Sequence, residues 1–324
     1  MFMLKIVPAT TNVNFVGMRR LAYPLSGLLI VASIAMFLIQ GLNFGIDFRG
    51  GILIEIKTEG PANVEELRRT IGGLRLGEVQ IQEFGAPDDV LIRVQQQDGA
   101  EEEQVKAIEV IKTALGDTVS EYRRTEFVGP TVGAELIESA IWAVTLAIGA
   151  ILIYIWFRFE WQFGVGAVIA LTHDVITTIG LFAFTQLEFN LATVAAILTI
   201  AGYSINDTVV IYDRVREELR RYKKMDMGAL LNLAANRTLS RTFMTSVTTL
   251  IALIALAIFG GSIIRDFAYA MIWGVVIGTY SSVFIAVPIL LWLKISREAL
   301  SAGSEDDGSG EDVGDAMAEA PSEK

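Results

Sequence analysis

Six long apolar runs alternate with polar stretches along the chain. The runs lie near residues 21–41, 138–157, 163–184, 190–212, 241–260 and 267–293. A helix of about 20 apolar residues crosses the hydrocarbon core of a bilayer. The pattern therefore predicts a polytopic α-helical membrane protein with six transmembrane helices, five of them within residues 138–295.

The first run follows a short N-terminal segment, residues 1–20, that ends in Arg19 and Arg20. Its apolar stretch is longer than that of a typical secretory signal and lacks a clean small-residue cleavage site. We therefore expect an uncleaved signal-anchor helix over 21–41. Twin-arginine export is the alternative explanation of the two arginines, and the strongly apolar segment after them argues against it.

The polar segment 42–137, between the first two runs, alternates strand and helix patterns. The strand patterns cover residues 52–58, 78–84, 90–96 and 118–127, and the helix patterns cover 63–71 and 101–115. This βαββαβ order is that of the ferredoxin-like split unit, with a hairpin connection expected at 85–89. We predict a small ferredoxin-like α+β domain, and favour a binding or spacer role because such a fold names no chemistry.

Composition supports a membrane location and excludes several kinds of site. Hydrophobic residues make up 52% of the chain and the mean hydropathy is +0.49, which is too apolar for a soluble globule. There is no cysteine and only one histidine. We therefore expect no disulfide, no metal site, no cofactor and no enzymatic activity, since a nucleophile with a base in reach is missing.

The net charge of -11 is unevenly distributed. Residues 42–138 hold 19 acidic and 10 basic residues, residues 301–324 hold eight acidic residues and one lysine, and the remainder is basic. Lys and Arg in short loops stay on the cytoplasmic side. We therefore expect both termini in the cytoplasm, 42–137 in the periplasm, and a disordered acidic cytoplasmic tail over 296–324. No nucleic-acid partner is expected.

Ionisable residues inside the apolar runs are few, and each costs at least ~2.5–3.5 kcal/mol to insert. His173 and Asp174 lie near the middle of the third run, Asp207 lies in the fourth, and Arg237 and Arg241 begin the fifth. Helical spacing adds hydroxyl groups to each face: Thr177 and Thr178; Ser204 and Thr208; Thr245, Thr248 and Thr249. We expect these stripes to meet in a polar seam inside the bundle.

Two interpretations of these charges stay open. Asp207 and Arg241 are expected at comparable depth, and a carboxylate whose partner comes and goes can carry a proton. The alternative is a static ion pair that fixes helix packing. For His173 with Asp174, hydrogen bonding between helices is an equally adequate explanation. Arg237 is predicted to be an interfacial anchor, and the GxxxG sequence at 274–278 is predicted to serve helix packing.

Several short strings occur in a specific order. They are GIDFRGG at 45–51, TVGAEL at 131–136, ALTHD at 170–174, GYSINDTVV at 202–210, RTLSRT at 237–242 and FGG at 259–261. Any one of them is a weak signal, whereas the ordered set is highly specific. Together they resemble the SecF subunits of the SecD/SecF protein-export family, which belongs to the resistance-nodulation-division group of proton-driven membrane proteins.

The resemblance implies a function and a set of partners. It implies an accessory subunit of the Sec translocase in the bacterial inner membrane, acting with SecD to promote late translocation and release of preproteins driven by the proton-motive force. The implied partners are SecD, the SecYEG channel, YajC, the translocating preprotein and protons. A proton-driven exporter of small molecules or lipids, or a structural scaffold without ion flow, is the alternative.

The resemblance also implies roles for single residues. Asp207 is implied to be the proton-carrying acid and Arg241 its basic neighbour, with His173 and Asp174 as further members of the relay. The junction between the first helix and the outside domain is implied to contain Gly45, Asp47, Phe48, Arg49, Gly50 and Gly51, and Asn206 belongs to the motif around Asp207. The acidic tail has no counterpart in these motifs.

Overall fold

The chain begins its described structure with a long helix. The structure is a computed structural model that describes residues 11–97, 99, 101–293 and 295. Helix α1 (Phe15–Gln40) is capped by Asn14, whose Oδ1 accepts the backbone N–H of Gly17 at 2.8 Å. The predicted start at residue 21 is therefore too late, because the apolar run marks only part of a helix that a polar cap begins earlier. Residues 1–10 and the predicted tail 296–324 lie outside the described residues.

A short junction connects α1 to a mixed α/β unit. The junction contains strand β1 (Asn43–Phe44) and the one-turn helix α2 (Ile46–Arg49). The unit then runs through β2 (Gly51–Thr58), α3 (Val64–Gly72), β3 (Val79–Phe84), β4 (Ala86–Val94), α4 (Glu101–Leu115), a 3₁₀ turn (Gly116–Thr118) and β5 (Val119–Val128). From β2 to β5 the elements follow the predicted βαββαβ order.

The four long strands form one antiparallel sheet in the order β3-β4-β2-β5. Alternate residues of the central strand β2, such as Ile52, Ile54 and Ile56, are completely buried against α3 and α4. Leu53, on the other face of the strand, is also buried, in a small cluster with Ile46 of α2 and Leu91 of β4, so the central strand is covered on both sides.

The predicted connection at 85–89 is mostly strand. Only Gly85, with φ +87°, forms the turn, and β4 begins at Ala86. Turn-forming residues suggested a loop, but the two aspartates are held in the sheet by charge. Asp88 lies 3.3 Å from Lys57 on β2, and Asp89 lies 2.6 Å from Arg123 on β5. Tertiary ion pairs thus override the local turn preference.

The remainder of the chain is a helical bundle. It consists of α5 (Pro130–Arg158), α6 (Trp161–Thr185), the two-residue strand β6 (Glu188–Phe189), α7 (Leu191–Arg221), α8 (Met227–Phe259), α9 (Gly261–Ser281), a π segment (Ser282–Ala286) and α10 (Val287–Trp292). In the described part of the chain, six helical spans are long and apolar enough to cross a membrane, counting α9 to α10 as one. The predicted number of transmembrane helices is confirmed.

The spans differ in how deeply they are buried. In the apolar windows of α6 and of α9 to α10, 56% and 67% of the residues are buried, against 11% in α1 and 6% in α5. The outer helices present large apolar side chains, including Leu38, Ile39 and Phe157, to their surroundings. Such a surface is stable only in contact with lipid or a partner.

At the end of the bundle where α5 and α7 finish, the helices are longer than the apolar runs that predicted them. Helix α7 continues to Arg221, and α8 begins at Met227 rather than near 241, with Asp226 capping its first turn. These added turns are amphipathic, because one side packs on the bundle while the charged side faces outward. We call this the basic end of the bundle; the mixed α/β unit lies at the opposite end.

Candidate functional site

Asp174 lies completely buried at the centre of the bundle. Its Oδ2 accepts hydrogen bonds from the hydroxyl groups of Ser204 on α7 at 2.5 Å and of Ser281 on α9 at 2.7 Å. Its Oδ1 lies 2.9 Å from Nδ1 of His173. We call these four residues the Asp174 cluster; its carboxylate joins α6, α7 and α9.

His173 connects the cluster to the first helix. Its Nε2 is buried without a hydrogen-bond partner in the described part of the chain, and its ring centroid lies 6.1 Å from that of Tyr280. The Tyr280 hydroxyl donates to the carbonyl oxygen of Ala22 at 3.1 Å and lies 2.9 Å from the Ser26 hydroxyl, both on α1. The only histidine thus lies in a packed environment.

Thr177 and Thr178 have a different role from the one that their spacing suggested. Both are buried on the face of α6 that carries Asp174, as predicted. Their hydroxyls donate to the backbone carbonyl of Asp174, at 3.1 and 2.7 Å, rather than to its carboxylate. A threonine inside a helix can use this nearby carbonyl at little cost.

Asp207 lies three residues after Ser204 on the same side of α7 and is 5% exposed. Its Oδ2 is buried and has no hydrogen-bond partner among the described residues. Arg241 acts on it electrostatically, but no ion pair joins the two side chains, both of which are described. The residues are therefore brought near each other, as expected, without the direct pairing that the sequence suggested.

The polar stripe of α8 is oriented differently from the prediction. The predicted seam residues Arg241, Thr245 and Thr248 are exposed, and Thr249 is half-buried. The buried residues are instead Thr242 and Ser246, and the Ser246 hydroxyl lies 2.7 Å from that of Thr279 on α9. Two polar stripes lie side by side on this helix, one residue apart, and the sequence alone does not choose between them.

A buried acid at the basic end was missed from the sequence. Glu218 is completely buried, and its Oε1 accepts from Arg214 at 2.7 Å and from Arg237. Arg237, predicted to be an interfacial anchor, is exposed and is also held by this ion pair. Glu218 lies in a mixed run of acids and arginines, so nothing in the sequence distinguished it from its exposed neighbours.

Two glycines allow α9 to approach α7. A Cβ on Gly274 would lie 2.2 Å from Ile200 Cγ1, and a Cβ on Gly278 would lie 3.2 Å from Ser204 Cβ. The packing role predicted for the GxxxG sequence is confirmed. The close approach also brings Ser281 and Ser204 to the same carboxylate.

The junction motif holds the outer end of α7. Strands β1 and β6 pair in parallel, and Gly45 N–H donates to the carbonyl oxygen of Phe189 at 2.9 Å. Asp47 Oδ2 accepts the backbone N–H of Leu191, the first residue of α7, at 2.9 Å. A carboxylate at a helix N-terminus is favoured by the helix dipole. Asp47 is thus a cap supplied from a distant part of the chain.

An ion pair adds to this contact. Arg93 on β4 lies 2.6 Å from Glu188 on β6, and the two side chains are only 12% and 14% exposed. Arg93 also donates to Asn43 on β1 at 3.3 Å, and Asn43 donates to the carbonyl oxygen of Gln186 at 2.9 Å. The mixed α/β unit is therefore bonded directly to the segment that precedes α7.

The other motif residues of the junction shape its turn. Gly50 and Gly51 have φ of +71° and +113°, and a Cβ on Gly51 would lie 2.6 Å from the carbonyl oxygen of Val94. Only glycine fits there without strain. The Phe48 ring packs 5.9 Å from that of Phe189, while Arg49 is exposed.

Two further sequence predictions concern Asn206 and metal binding. Asn206, next to Asp207, is exposed on the surface of the bundle. Among the described residues, no group of three His, Cys, Asp or Glu side chains is arranged to hold a metal ion.

Two family models match the chain. Residues 35–62, which include the junction, match the model described as the SecD/SecF GG motif. Residues 108–296, which include the helices with Asp174 and Asp207, match the model described as protein export membrane protein SecD/SecF, C-terminal. The two matches together cover both sites described above.

Two similar proteins are both SecF subunits of a protein translocase. The protein translocase subunit SecF of Rickettsia bellii is 46% identical over 290 residues, which is 89% of this chain and 95% of that protein. The subunit of the same name from Rhodobacter capsulatus is 46% identical over 311 residues, 91% of this chain and 93% of its own.

A solved structure shares the fold. The crystal structure of SecDF from Thermus thermophilus, described as a translocon-associated membrane protein, is 34% identical with a TM-score of 0.80. The likeness covers 91% of this chain and 40% of that chain, so this chain spans less than half of the SecDF polypeptide. On the family matches and the relatives together, this chain belongs to the SecF subunits of the SecD/SecF protein-export family.

Proposed function

We propose that this chain, whose family acts in Sec-pathway protein export, is a proton-driven accessory subunit of the translocase. It acts with a SecD half in the inner membrane, next to the SecYEG channel and YajC, and promotes late translocation and release of preproteins. Its role is mechanical rather than catalytic: protons cross the bundle and the outside unit moves.

One observation carries this proposal: a single helix, α7, contacts both parts of the molecule. Asp207 lies near its middle with a buried oxygen that has no partner. Its first residue, Leu191, is bonded to Asp47 of the junction, and Glu188 just before it is paired with Arg93 of the mixed α/β unit. A displacement of α7 would therefore be passed directly to that unit.

The displacement follows from the charge of Asp207. When the carboxylate is ionised, Arg241 on α8 attracts it. When it takes up a proton, the attraction is lost, and the free energy that favours the approach of α7 to α8 falls. The proton is then released on the opposite side of the membrane. Because Oδ2 has no hydrogen-bond partner in the described part of the chain, a proton can bind there without breaking a hydrogen bond to that oxygen.

His173 and Asp174 have a different part in this proposal. The Asp174 carboxylate is bonded by Ser204, Ser281 and His173, and moving its charge would release three helices. These contacts favour a fixed connection beside the relay. Ser204 lies one turn from Asp207, so the Asp174 cluster holds the part of α7 on which the relay acid is carried.

The exposed polar face of the bundle supports a SecD partner. Asn206 on α7 and Arg241 and Thr245 on α8 are exposed at membrane depth. Polar groups are costly against lipid tails, and interhelical contacts through small and polar residues relieve this cost. Since the likeness covers only 40% of the SecDF chain, the remainder of that polypeptide supplies a second half of suitable size.

The proposal places the mixed α/β unit in the periplasm as a ferredoxin-like domain. The βαββαβ order and the antiparallel strand order β3-β4-β2-β5 support the fold, and the basic loops at the opposite end support the orientation. In this orientation the junction lies on the side where preproteins are released.

Reconstitution tests the proposal. The chain is assembled with SecD and the channel in proteoliposomes, and release of a trapped preprotein is measured with and without a proton gradient. We expect Asp207→Asn to remove the gradient-dependent part, because the amide cannot carry a proton. Asp117→Asn, at an exposed turn of the mixed α/β unit, is the matched control and should release normally. Gradient-dependent release by Asp207→Asn would leave a scaffold as the function.

A further inference from the structure

A large cavity lies at the basic end of the bundle. It has a volume of about 1090 Å³ and lies between the end of α5, the last turns of α7 and the first turns of α8. Seven arginines line it, against the carboxylates of Asp213 and Glu217. We call it the basic cavity.

The arginines outnumber the acids that could neutralise them. Glu218, buried beneath the cavity, is shared by Arg214 and Arg237. Arg158 lies 3.0 Å from Asp213. Glu160, whose pKa is raised by burial against the opposing charges of Arg216 and Arg220, makes no ion pair within the described part of the chain. Even with Glu218 and Glu160 counted beside the two carboxylates that line the cavity, four acids oppose seven guanidinium groups, and the cavity keeps a net positive charge.

Several guanidinium groups have donors to spare. Arg220 makes no hydrogen bond or ion pair with any described residue, and Arg216 Nε is buried without a partner. The nearest acid to Arg216 is Asp213 at 3.9 Å, which is beyond hydrogen-bond distance. Arg216 donates to the carbonyl oxygen of Arg158 at 3.4 Å and keeps further donors, and Arg220 is exposed, so an anion in the cavity can accept hydrogen bonds from both arginines.

The depth of the cavity identifies the kind of anion. Trp156, Phe157 and Trp161, which surround Arg158 at the α5–α6 turn, are 79%, 88% and 61% exposed. Exposed tryptophans at the end of a transmembrane helix mark the headgroup layer of the membrane. The mouth of the cavity therefore lies at the depth of the lipid phosphates and within reach of them.

The surface next to the cavity also fits a lipid. Met244, one turn past Arg241 on the bilayer side and on the same side of α8, is 42% exposed. An acyl chain can lie along this side chain while its phosphate is held by arginines. A planar guanidinium binds two phosphate oxygens at once, which makes arginine the preferred residue for this contact.

We propose that the basic cavity binds the phosphate of an anionic phospholipid headgroup, with Arg158, Arg216 and Arg220 as its principal donors. Basic pockets between transmembrane helices are suited to such headgroups. Arg241, the basic neighbour of Asp207, also lines the cavity, but the proposed donors are three other arginines, and binding does not depend on the transport role proposed above.

Lipid binding to the purified full chain in detergent tests the proposal. Retention of phosphatidylglycerol and of phosphatidylcholine is compared by native mass spectrometry. We expect Arg216→Gln with Arg220→Gln to weaken phosphatidylglycerol retention about tenfold or more, since each basic group contributes on the order of 1 kcal/mol. Arg68→Gln with Arg69→Gln, on the exposed face of α3, removes the same charge and should change nothing. Equal loss from both double variants would overturn the proposal.

Lysine variants distinguish a loss of lipid binding from a loss of folding. Arg216→Lys with Arg220→Lys keeps the charge and loses the two-oxygen contact, so we expect an intermediate loss with an unchanged melting temperature in phosphatidylcholine. If this variant binds phosphatidylglycerol as the original chain does, the arginines do not recognise the phosphate and the proposal fails.

Two further arms distinguish other occupants. Inorganic phosphate that binds as tightly as phosphatidylglycerol would identify a site for free phosphate instead. Deletion of residues 301–324, which hold eight acids, should leave retention unchanged. If phosphatidylglycerol binds only after this deletion, the cavity belongs to the acidic tail and not to a lipid.

Discussion

Asp174 and Asp207 are two buried acids of one bundle that differ in what surrounds them. Asp174 receives hydrogen bonds from two hydroxyls and contacts a histidine, whereas one oxygen of Asp207 has no hydrogen-bond partner among the residues that the structure describes. The two are connected through Ser204, one turn from Asp207 on α7. A carboxylate whose oxygens all have hydrogen-bond partners holds helices in place. A carboxylate with an oxygen that lacks a partner can change its charge while losing few contacts.

Substitution of Asp174, whose carboxylate is fully hydrogen-bonded, should have the largest effect on stability. Asp174→Ala leaves Ser204, Ser281 and His173 without their acceptor, and each lost bond costs roughly 1 kcal/mol, so we expect a loss of about 2–4 kcal/mol in the free energy of unfolding. Asp117→Ala, at an exposed turn, is the control and should change stability little. Denaturant titration in detergent micelles measures both. Equal stability of the two variants would show that Asp174 makes no such connection.

Forcing α9 away from α7 should also weaken the Asp174 cluster. Gly274→Val places methyl groups where Ile200 already lies and forces α9 away from α7, at a cost of about 1–3 kcal/mol. Ser281 would then lose contact with Asp174. Gly202→Val, on an exposed face of α7, adds the same volume with no atom within 4 Å and should be tolerated better. Thermal unfolding of the two variants decides between them.

The contact at the junction should be weaker than the Asp174 cluster but measurable. Glu188→Gln removes the charge that Arg93 pairs with, and a charged hydrogen bond of this kind contributes about 1.5–3 kcal/mol. We expect the amide protons of Gly45 and Leu191 to exchange about tenfold faster. Glu103→Gln breaks the exposed pair with Lys106 and should leave these amides unchanged. Unchanged exchange in Glu188→Gln would mean that the ion pair does not hold the junction.

The smallest effect on stability is expected from the substitution of Asp207. Asp207→Asn keeps the size of the side chain, and the lost attraction of Arg241 is offset because a neutral amide costs less to bury than a carboxylate, so the free energy of unfolding should stay within about 0.5 kcal/mol of the original. Together with lost gradient-dependent release, this would separate function from stability at one residue. A large loss of stability would indicate a structural acid like Asp174.

The elements with a strong local pattern were predictable from sequence. Six runs of apolar residues indicate the six spans, and the short, isoleucine-rich run at 52–56 indicates β2. The ionisable residues of interest were also found, because Asp174 and Asp207 interrupt apolar segments. In each case the signal lies within one turn or one strand, where periodicity determines the outcome.

Contacts between distant segments were not predictable. Strands β1 and β6 have two residues each and pair across a long stretch of chain, so neither has a pattern of its own. The burial of Glu218 depends on the packing of α8 against α7. The choice between Thr242 and Arg241 as the buried side of α8 is a rotation of about 100°, which a helix with polar residues on both sides does not specify.

The central claim is that Asp207 exchanges a proton while Asp174 does not. Infrared difference spectra of the chain reconstituted with SecD, recorded between two pH values, detect the C=O stretch of a carboxyl group that takes up a proton. We predict a band that disappears in Asp207→Asn and persists in Asp174→Asn. A band that persists in Asp207→Asn and disappears in Asp174→Asn would contradict the account.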